Sequence, residues 1–350
     1  MRGDFVTDLE KKVNDYLTNE LLSTQNLPIG RYENNLIGNI TDRLFSKKYR
    51  KYKIDPSVRE NITKQLESII SNKQKIIFTP AFGGYKHYWT ESYPNTDWAE
   101  IFNLKYILEY LAPIFNSYEQ GVEIEYEAEE VVIEKINNMP QKDLDEYTNS
   151  WYELIKLFNS KVKENIQIKY TLAKDSYSQE DLFKAMEERY DKFAELFDNY
   201  EDKEYRLSKA STNIMWNGKE DLTNLTKEEK TEYIKKSRIL DEAFLDADFA
   251  LREDFFFQEN RILLCFSFGL WPEGAEAIHI GSCGSSMVDF WAGIGILELR
   301  EDKIVPRIIS KTQFEKISKE LIKVPVNINE VKEINSNYEY IYVYNGNLDF

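Results

Sequence analysis

Two histidines, His87 and His279, are all that the 350 residues offer for imidazole chemistry. The first lies in Gly83-Gly84-Tyr85-Lys86-His87, so one short loop carries both a cation and a titratable ring. Glycine lets backbone come close to a ligand, and imidazole titrates near neutrality, which makes this loop the leading candidate site. The plain alternative is a solvated surface loop in which Tyr85 and Trp89 pack down. Further on, Asp97 and Glu100 stand three apart at a helix start. There they could receive a substrate ammonium or move a proton. They also suit a helix cap, with Asp97 as N-cap and Glu100 reaching back, and the cap is a sufficient account by itself.

Other polar groups carry weaker signals. Residues 281–286, GSCGSS, follow a strand and could offer amides and hydroxyls, Ser285 among them, to a phosphate. Their spacing matches neither a P-loop nor a dinucleotide fingerprint, so a hairpin loop is the simpler reading. Cys283 within the loop has no histidine near it in sequence. His279 alternates with Ile278 and Ile280, and a lone strand histidine is more often structural than catalytic. Two imidazoles exclude a three-histidine metal site. The run EYEAEEVVIE (125–134) could hold a divalent cation, although solvated glutamates at a strand end explain it as well. Trp271, Phe290 and Trp291 could line an aromatic pocket, with most of the aromatic excess in the core. No metal or other cofactor is expected.

The elements that must position these groups follow from periodicity. Ile76, Ile77 and Phe78 form a β-prone run that stops at Thr79-Pro80. A helix over 97–117 carries Ile101, Leu104, Leu108, Leu111 and Phe115 on one stripe, and Pro113 should kink or end it. In 122–127 Val122, Ile124 and Tyr126 alternate with glutamates, which predicts a strand with one buried face. Strand, helix and strand make a βαβ unit with a parallel pair. Helices are predicted over 4–22, 38–48, 55–73 (entered by Asp55-Pro56), 143–165, 179–197 and 227–257, the last interrupted near Leu240. The polar stretch 198–226 could be a lid or an insertion. Runs at 261–270, 276–281 and 293–299 read as a β-meander joined to the earlier sheet. A helix over 311–322 and an aromatic edge strand over 338–344 complete the chain. The expectation is one α/β domain over 1–350: a mixed, partly parallel, Rossmann-like sheet flanked by helices, with helical decoration at the N-terminus and in the middle.

Bulk properties narrow the partners. A net charge of −16 argues against general nucleic-acid or anionic-membrane binding, both of which need basic surface. No run of 18 apolar residues is present, and the acidic, amphipathic start lacks the apolar core of a secretion signal. A cytoplasmic protein acting on a small molecule is expected. Cys265 and Cys283 show no disulfide or metal spacing, and nothing fixes the oligomeric state.

The ordered set of stretches resembles the pyoverdine/dityrosine biosynthesis family, which contains the isocyanide (isonitrile) synthases. Gly84-Tyr85-Lys86 looks like the family's lysine loop after an apolar strand. Pro94 with Asp97-Trp98-Ala99-Glu100 looks like its helix opening, Tyr118-Glu119-Gln120-Gly121 like its Tyr-x-x-Gly, and Glu127 with Glu129 like its acidic strand end. The next helix, entered with an Asp and carrying a Tyr, is matched by NNMPQKDLDEYTNSWYEL. Arg261 with Phe266-Ser267-Phe268 resembles an Arg-Leu-Ser-x-His strand, and Asp289-Phe290-Trp291-Ala292-Gly293 a Pro-Trp-His segment. Order and rough spacing agree over about 76–155 and 258–300, less than half the chain. Phe268 or Gly269 stands where the first family histidine is expected, and Ala292 replaces the second.

The resemblance implies an enzyme condensing an amino acid amine with a phosphosugar carbonyl in specialised metabolism. In that reading Lys86 holds a phosphate or carbonyl oxygen, and Glu100 or Asp97 pairs with the amine or moves a proton. His87 is the remaining loop imidazole. Arg261, Ser267, His279 and Ser285 assist substrate binding with Gly84 and Tyr85, and Trp291 packs on an aromatic substrate. The rival is a non-catalytic acidic binding or immunity-type protein that keeps the fold and meets a basic protein partner.

Overall fold

The computed structural model describes residues 2–28, 34–51, 53–130, 133, 139–217, 222–266, 276–284, 286–301 and 303–348. Strands β1 (Ile76–Phe82), β2 (Val122–Ala128), β3 (Ile166–Leu172), β4 (Arg261–Cys265) and β5 (Ala277–His279) form one sheet. Its order is β3-β2-β1-β4-β5, and every neighbouring pair is parallel. β1 is buried along its whole length, as a central parallel strand covered on both faces must be. It does not stop at Thr79-Pro80. Its ladder to β2 covers Ile76–Phe78 and resumes at Ala81, so Pro80, with no N–H to give, falls in the gap.

Helices α1 (Arg2–Tyr16), α2 (Leu36–Leu44) and α3 (Pro56–Ser71) precede the sheet, and α4 (Trp98–Phe115) joins β1 to β2. Asp55 caps α3 by accepting from the Ser57 amide at 2.8 Å, as Asp55-Pro56 predicts. α4 is buried all round except at Glu109, more than its one apolar stripe predicts. The reason is its position between two sheets. Asn103 accepts from the Tyr126 hydroxyl of β2 at 2.8 Å. On the other side lies β6 (Ile294–Arg300), where a Cβ on Gly295 would sit 2.4 Å from the Ala99 nitrogen. Only a residue without a side chain lets these backbones approach so closely. Pro113 neither breaks nor visibly interrupts α4, which ends two residues later.

β2 corrects the expectation of a single buried face, because Glu123, Glu125 and Glu127 are buried too. Each has a cation: Lys169 at 2.9 Å for Glu123, Arg261 at 2.7 Å for Glu125, and Arg252 at 2.6 Å for Glu127. β3 was not anticipated, although IQIKYTL alternates. It forces α5 (Gln141–Asn159) to end sooner than 165, and Asn159 then closes the strand's free edge, bonding both the amide and the carbonyl of Ile168.

Helices α6 (Gln179–Phe197), α7 (Lys203–Asn217) and α8 (Lys227–Leu251) fill the excursion between β3 and β4. Residues 198–226 thus contain a helix, which packs against α8. α8 is unbroken at Leu240; the interruption comes at Arg252, ahead of the short α9 (Glu253–Phe256).

The meander is also corrected. β5 runs parallel beside β4, whereas β6 belongs to a second sheet with β7 (Lys303–Ile309), β8 (Ile322–Pro325) and β9 (Tyr340–Asn345), ordered β7-β6-β9-β8. The helix expected over 311–322 is α10 (Lys311–Ile317). β9 lies inside this sheet, between β6 and β8, and is no edge strand. Among the described residues no helix is long and apolar enough to cross a membrane.

Candidate active site

The sheet order changes direction at β1: β2 and β3 extend to one side, β4 and β5 to the other. In parallel sheets the crevice outside the carboxyl ends at such a switch point is the usual ligand site. The 83–87 loop leaves β1 there. Gly84 takes a φ of +71°, and a Cβ on it would lie 2.7 Å from the Ala128 side chain at the end of β2. Glycine is therefore required to turn the chain against the neighbouring strand. Beyond it the Tyr85 and His87 rings stack, with centroids 5.5 Å apart. The His87 amide donates to the Trp291 carbonyl at 2.9 Å.

Lys86 is buried, and its ammonium has three separate acceptors. Nζ lies 3.0 Å from Glu100 Oε1, 3.1 Å from Asp97 Oδ2 and 3.1 Å from the Phe290 carbonyl oxygen. Its three hydrogen bonds go to both Glu100 oxygens and the Phe290 carbonyl, and Asp97 adds an ion pair. Asp97 and Glu100 also form the cap. Asp97 Oδ1 accepts from the Ala99 amide at 2.7 Å, and Glu100 Oε2 accepts from the Asp97 amide at 2.8 Å. The two accounts of this pair are compatible: Asp97 puts Oδ1 on the cap and Oδ2 beside Lys86, and Glu100 Oε2 serves both the cap and Lys86, at 3.1 Å. Ser92 donates to Asp97 Oδ2 at 2.6 Å, and Tyr147 donates to Glu100 Oε1 at 3.2 Å.

Burial pushes the Glu100 carboxyl up to about 8, against the pull of Lys86. Burial, followed by the neighbouring Lys86 charge, lowers His87 to about 3, so its ring is neutral at ordinary pH. Lys86, Asp97 and Glu100 therefore make a buried acid–base group in which desolvation raises one carboxyl toward neutrality.

The side chains packed beside this group are aromatic. Trp291 meets Phe290 edge-on with centroids 4.9 Å apart and lies within 5.8 Å of Phe82 and 6.0 Å of Phe266. Trp151 stacks on Phe290 at 5.5 Å. The 289–292 segment is fixed by Lys51, which bonds both Asp289 and the Phe266 carbonyl at 2.6 Å. Its carbonyls at Phe290, Trp291 and Ala292 receive Lys86, His87 and Trp89 in turn.

Other sequence candidates lie elsewhere. Arg261 is the first residue of β4, opposite Ile77, and its guanidinium is taken by Thr79, Glu125 and Gln258. His279 ends β5, with β4 between it and β1. Ser267 and Ser285, like Phe268, Gly269 and Trp271, lie outside the described residues. Within 281–286 the Gly281 amide donates to the Tyr49 carbonyl and the Ser286 amide to the Cys283 carbonyl, each at 2.8 Å. Burial pushes the Cys283 thiol up to about 12, so it stays protonated.

Sequence reasoning quoted the helix that carries Tyr147 without giving that residue a role, missed Lys51 and the Phe290 carbonyl, whose partners lie far along the chain, and passed over Ser92, five residues from Asp97. It also missed the use made of the acidic end of β2. There Arg252 joins Glu127 to Asp248, which also receives the Tyr177 hydroxyl at 2.5 Å. Among the described residues no cluster of His, Cys, Asp or Glu is arranged to hold a metal ion.

No protein-family model matches this sequence, and no curated protein matches it. A loose match to tyrosyl-tRNA synthetase from Aeropyrum pernix, with a TM-score of 0.29 and 9% identity over 65% of this chain and 52% of that one, carries no argument. The PvcA protein from Pseudomonas aeruginosa superposes with a TM-score of 0.67 at 13% identity, over 89% of this chain and 100% of that chain. Over that share of its length the chain has the fold of PvcA.

Proposed function

We propose that this protein is an isocyanide-synthase-like enzyme of the pyoverdine/dityrosine biosynthesis type, condensing an amino acid amine with the carbonyl of a pentulose phosphate. One observation carries the reading: a lysine held between two buried carboxylates at the carboxyl end of the central strand, on a fold that spans all of PvcA. Condensing an amine with a carbonyl requires proton transfers at nitrogen and oxygen. Glu100, with its raised pKa, supplies a group that can both give and take a proton near neutrality. Lys86 and Asp97 hold that carboxyl in place. Because its donors are all used, Lys86 acts through Glu100 rather than directly on a phosphate. Tyr85, neutral His87 and Trp291 form the adjoining wall for the amino acid side chain. The stretch 198–226, which contains α7, serves as a lid in this reading, within a single cytoplasmic domain.

The test is incubation with an amino acid panel and ribulose 5-phosphate, read by mass spectrometry. Joint consumption is expected, with Glu100→Gln slower by at least about 100-fold. If neither compound is consumed across the panel, the proposal fails. The binding-protein alternative is favoured by Ala292, which stands where the family pattern has a histidine. Co-purification of one basic protein, without turnover, would support it.

A further inference from the structure

The acid–base group has a second side. A small cleft at the seam between α4 and the second sheet is lined by Glu91, Ser92, Asp97, Trp98, Tyr340 and Tyr342, among others. None of Tyr85, His87, Phe290 or Trp291 lines it, so it is separate from the aromatic crevice. At its floor Ser92, itself only 5% exposed, donates to the same Asp97 oxygen that Lys86 contacts. Asn337 fixes Ser92 from across the cleft by bonding its carbonyl at 2.9 Å. At the rim, exposed Glu91 accepts from the Tyr342 hydroxyl at 2.5 Å.

A buried group that takes up and releases protons must re-equilibrate with solvent. On the crevice side the ammonium is covered by the Phe290 carbonyl and its ring stack. We infer that Ser92 is a relay residue, carrying protons between the Lys86–Asp97–Glu100 group and solvent in the seam cleft. Each step balances. Once the Ser92 hydroxyl turns from Asp97 Oδ2 to a cleft water, Lys86 gives a proton to Asp97 Oδ2, Asp97 passes it to Ser92 Oγ, and that hydroxyl releases its own proton to the water. The reverse passage restores ammonium, carboxylate and hydroxyl. Proton exchange and substrate binding therefore use different openings, and a closed crevice need not isolate the acid–base group. The charged and titratable groups facing it are Lys86, Asp97 and Glu100 themselves, Tyr147 of α5, Tyr338 before β9, and Glu91 at the rim.

The catalytic use of this route rests on the proposed function, but its test needs no substrate. Hydrogen exchange of the Lys86 ammonium with water is measured on full-length protein carrying 15N-labelled lysine, with Lys86→Arg identifying the signal. Ser92→Ala should slow exchange by about tenfold, as loss of a hydrogen-bonded step of ~1.4 kcal/mol would. Ser92→Thr should restore it. Simple loosening of the site would accelerate exchange, so the direction separates a relay from a structural role. Exchange in Ser92→Ala as fast as wild type, or faster, overturns the inference. If that variant does not fold, Ser92→Cys makes the same comparison with a poorer proton carrier in nearly the same volume. A failed turnover assay with slowed exchange would refute the proposed reaction and leave the relay standing.

Discussion

Replacing Glu100 by glutamine should make the protein's stability less sensitive to alkaline pH. In the folded chain this carboxyl titrates at about 8 against an ordinary value of 4.5, because burial outweighs the attraction of Lys86. Between those values the folded state holds the proton and the unfolded state does not. The resulting stability is fully present below pH 4.5 and is lost as pH rises through 8. At ~1.4 kcal/mol per pH unit the whole effect is of order 5 kcal/mol, and relaxation around the charged form should leave ~2–4 kcal/mol to be measured. Glu127 and Glu130, each raised to about 7 chiefly by burial, add to the slope in the same direction. His87, lowered to about 3, acts oppositely below its ordinary 6.5. Those contributions are shared by both proteins and drop out of the difference. Urea unfolding at about pH 5.5 and about pH 9 measures it. Glutamine, an isostere of the protonated acid, should be nearly neutral at the lower pH and should exceed wild type at the higher by ~2 kcal/mol or more. Parallel pH profiles for the two proteins would refute the assignment of a proton to Glu100.

Two further substitutions probe what surrounds the site. Arg252→Met leaves Glu127 and Asp248 buried without their shared cation, at a cost of ~3–5 kcal/mol. Since Glu127 can protonate to relieve that burial, the loss in urea unfolding should be larger at pH 8 than at pH 6; a loss under ~1 kcal/mol at both would count against the pairing. Gly295→Ala forces β6 away from α4, because the added Cβ meets backbone atoms that cannot rotate aside. A destabilisation of ~1–3 kcal/mol is expected, and a melting temperature equal to wild type would contradict the close approach of the two elements.

The sequence made some of this legible for reasons visible in individual residues. Asp55-Pro56 and Asp97-x-x-Glu100 mark helix starts because capping is a local matter, settled within four residues. The β1–α4–β2 unit followed from changes of periodicity. What lay hidden depends on distant partners. The glutamates of β2 looked solvent-facing because Arg252 and Arg261 lie more than 120 residues further along. A one-sided stripe was the natural reading of α4, since nothing near it announces a second sheet on its other face. β3 was overlooked although its alternation was plain, and α8 was broken at Leu240 where an unbroken run with good helix formers sufficed. Around the site, Gly84 and Lys86 could be singled out from their loop. The roles of Tyr147 and the Phe290 carbonyl could not, because only folding brings them to Glu100 and to Lys86.

The enclosure of α4 also bears on the order in which the molecule can be assembled. This apolar helix is made early, at residues 98–115, yet one of its walls is β6 at 294–300, itself held in a sheet with β9 at 340–345. A chain growing from its N-terminus therefore carries an uncovered hydrophobic rod through the synthesis of nearly two hundred intervening residues. The five parallel strands meet the same delay, since β1 waits for β4. Non-local closure of this kind is slow and leaves sticky surface exposed meanwhile. Productive folding of this protein thus waits on the sheet that contains β6 and β9, which acts as the clasp.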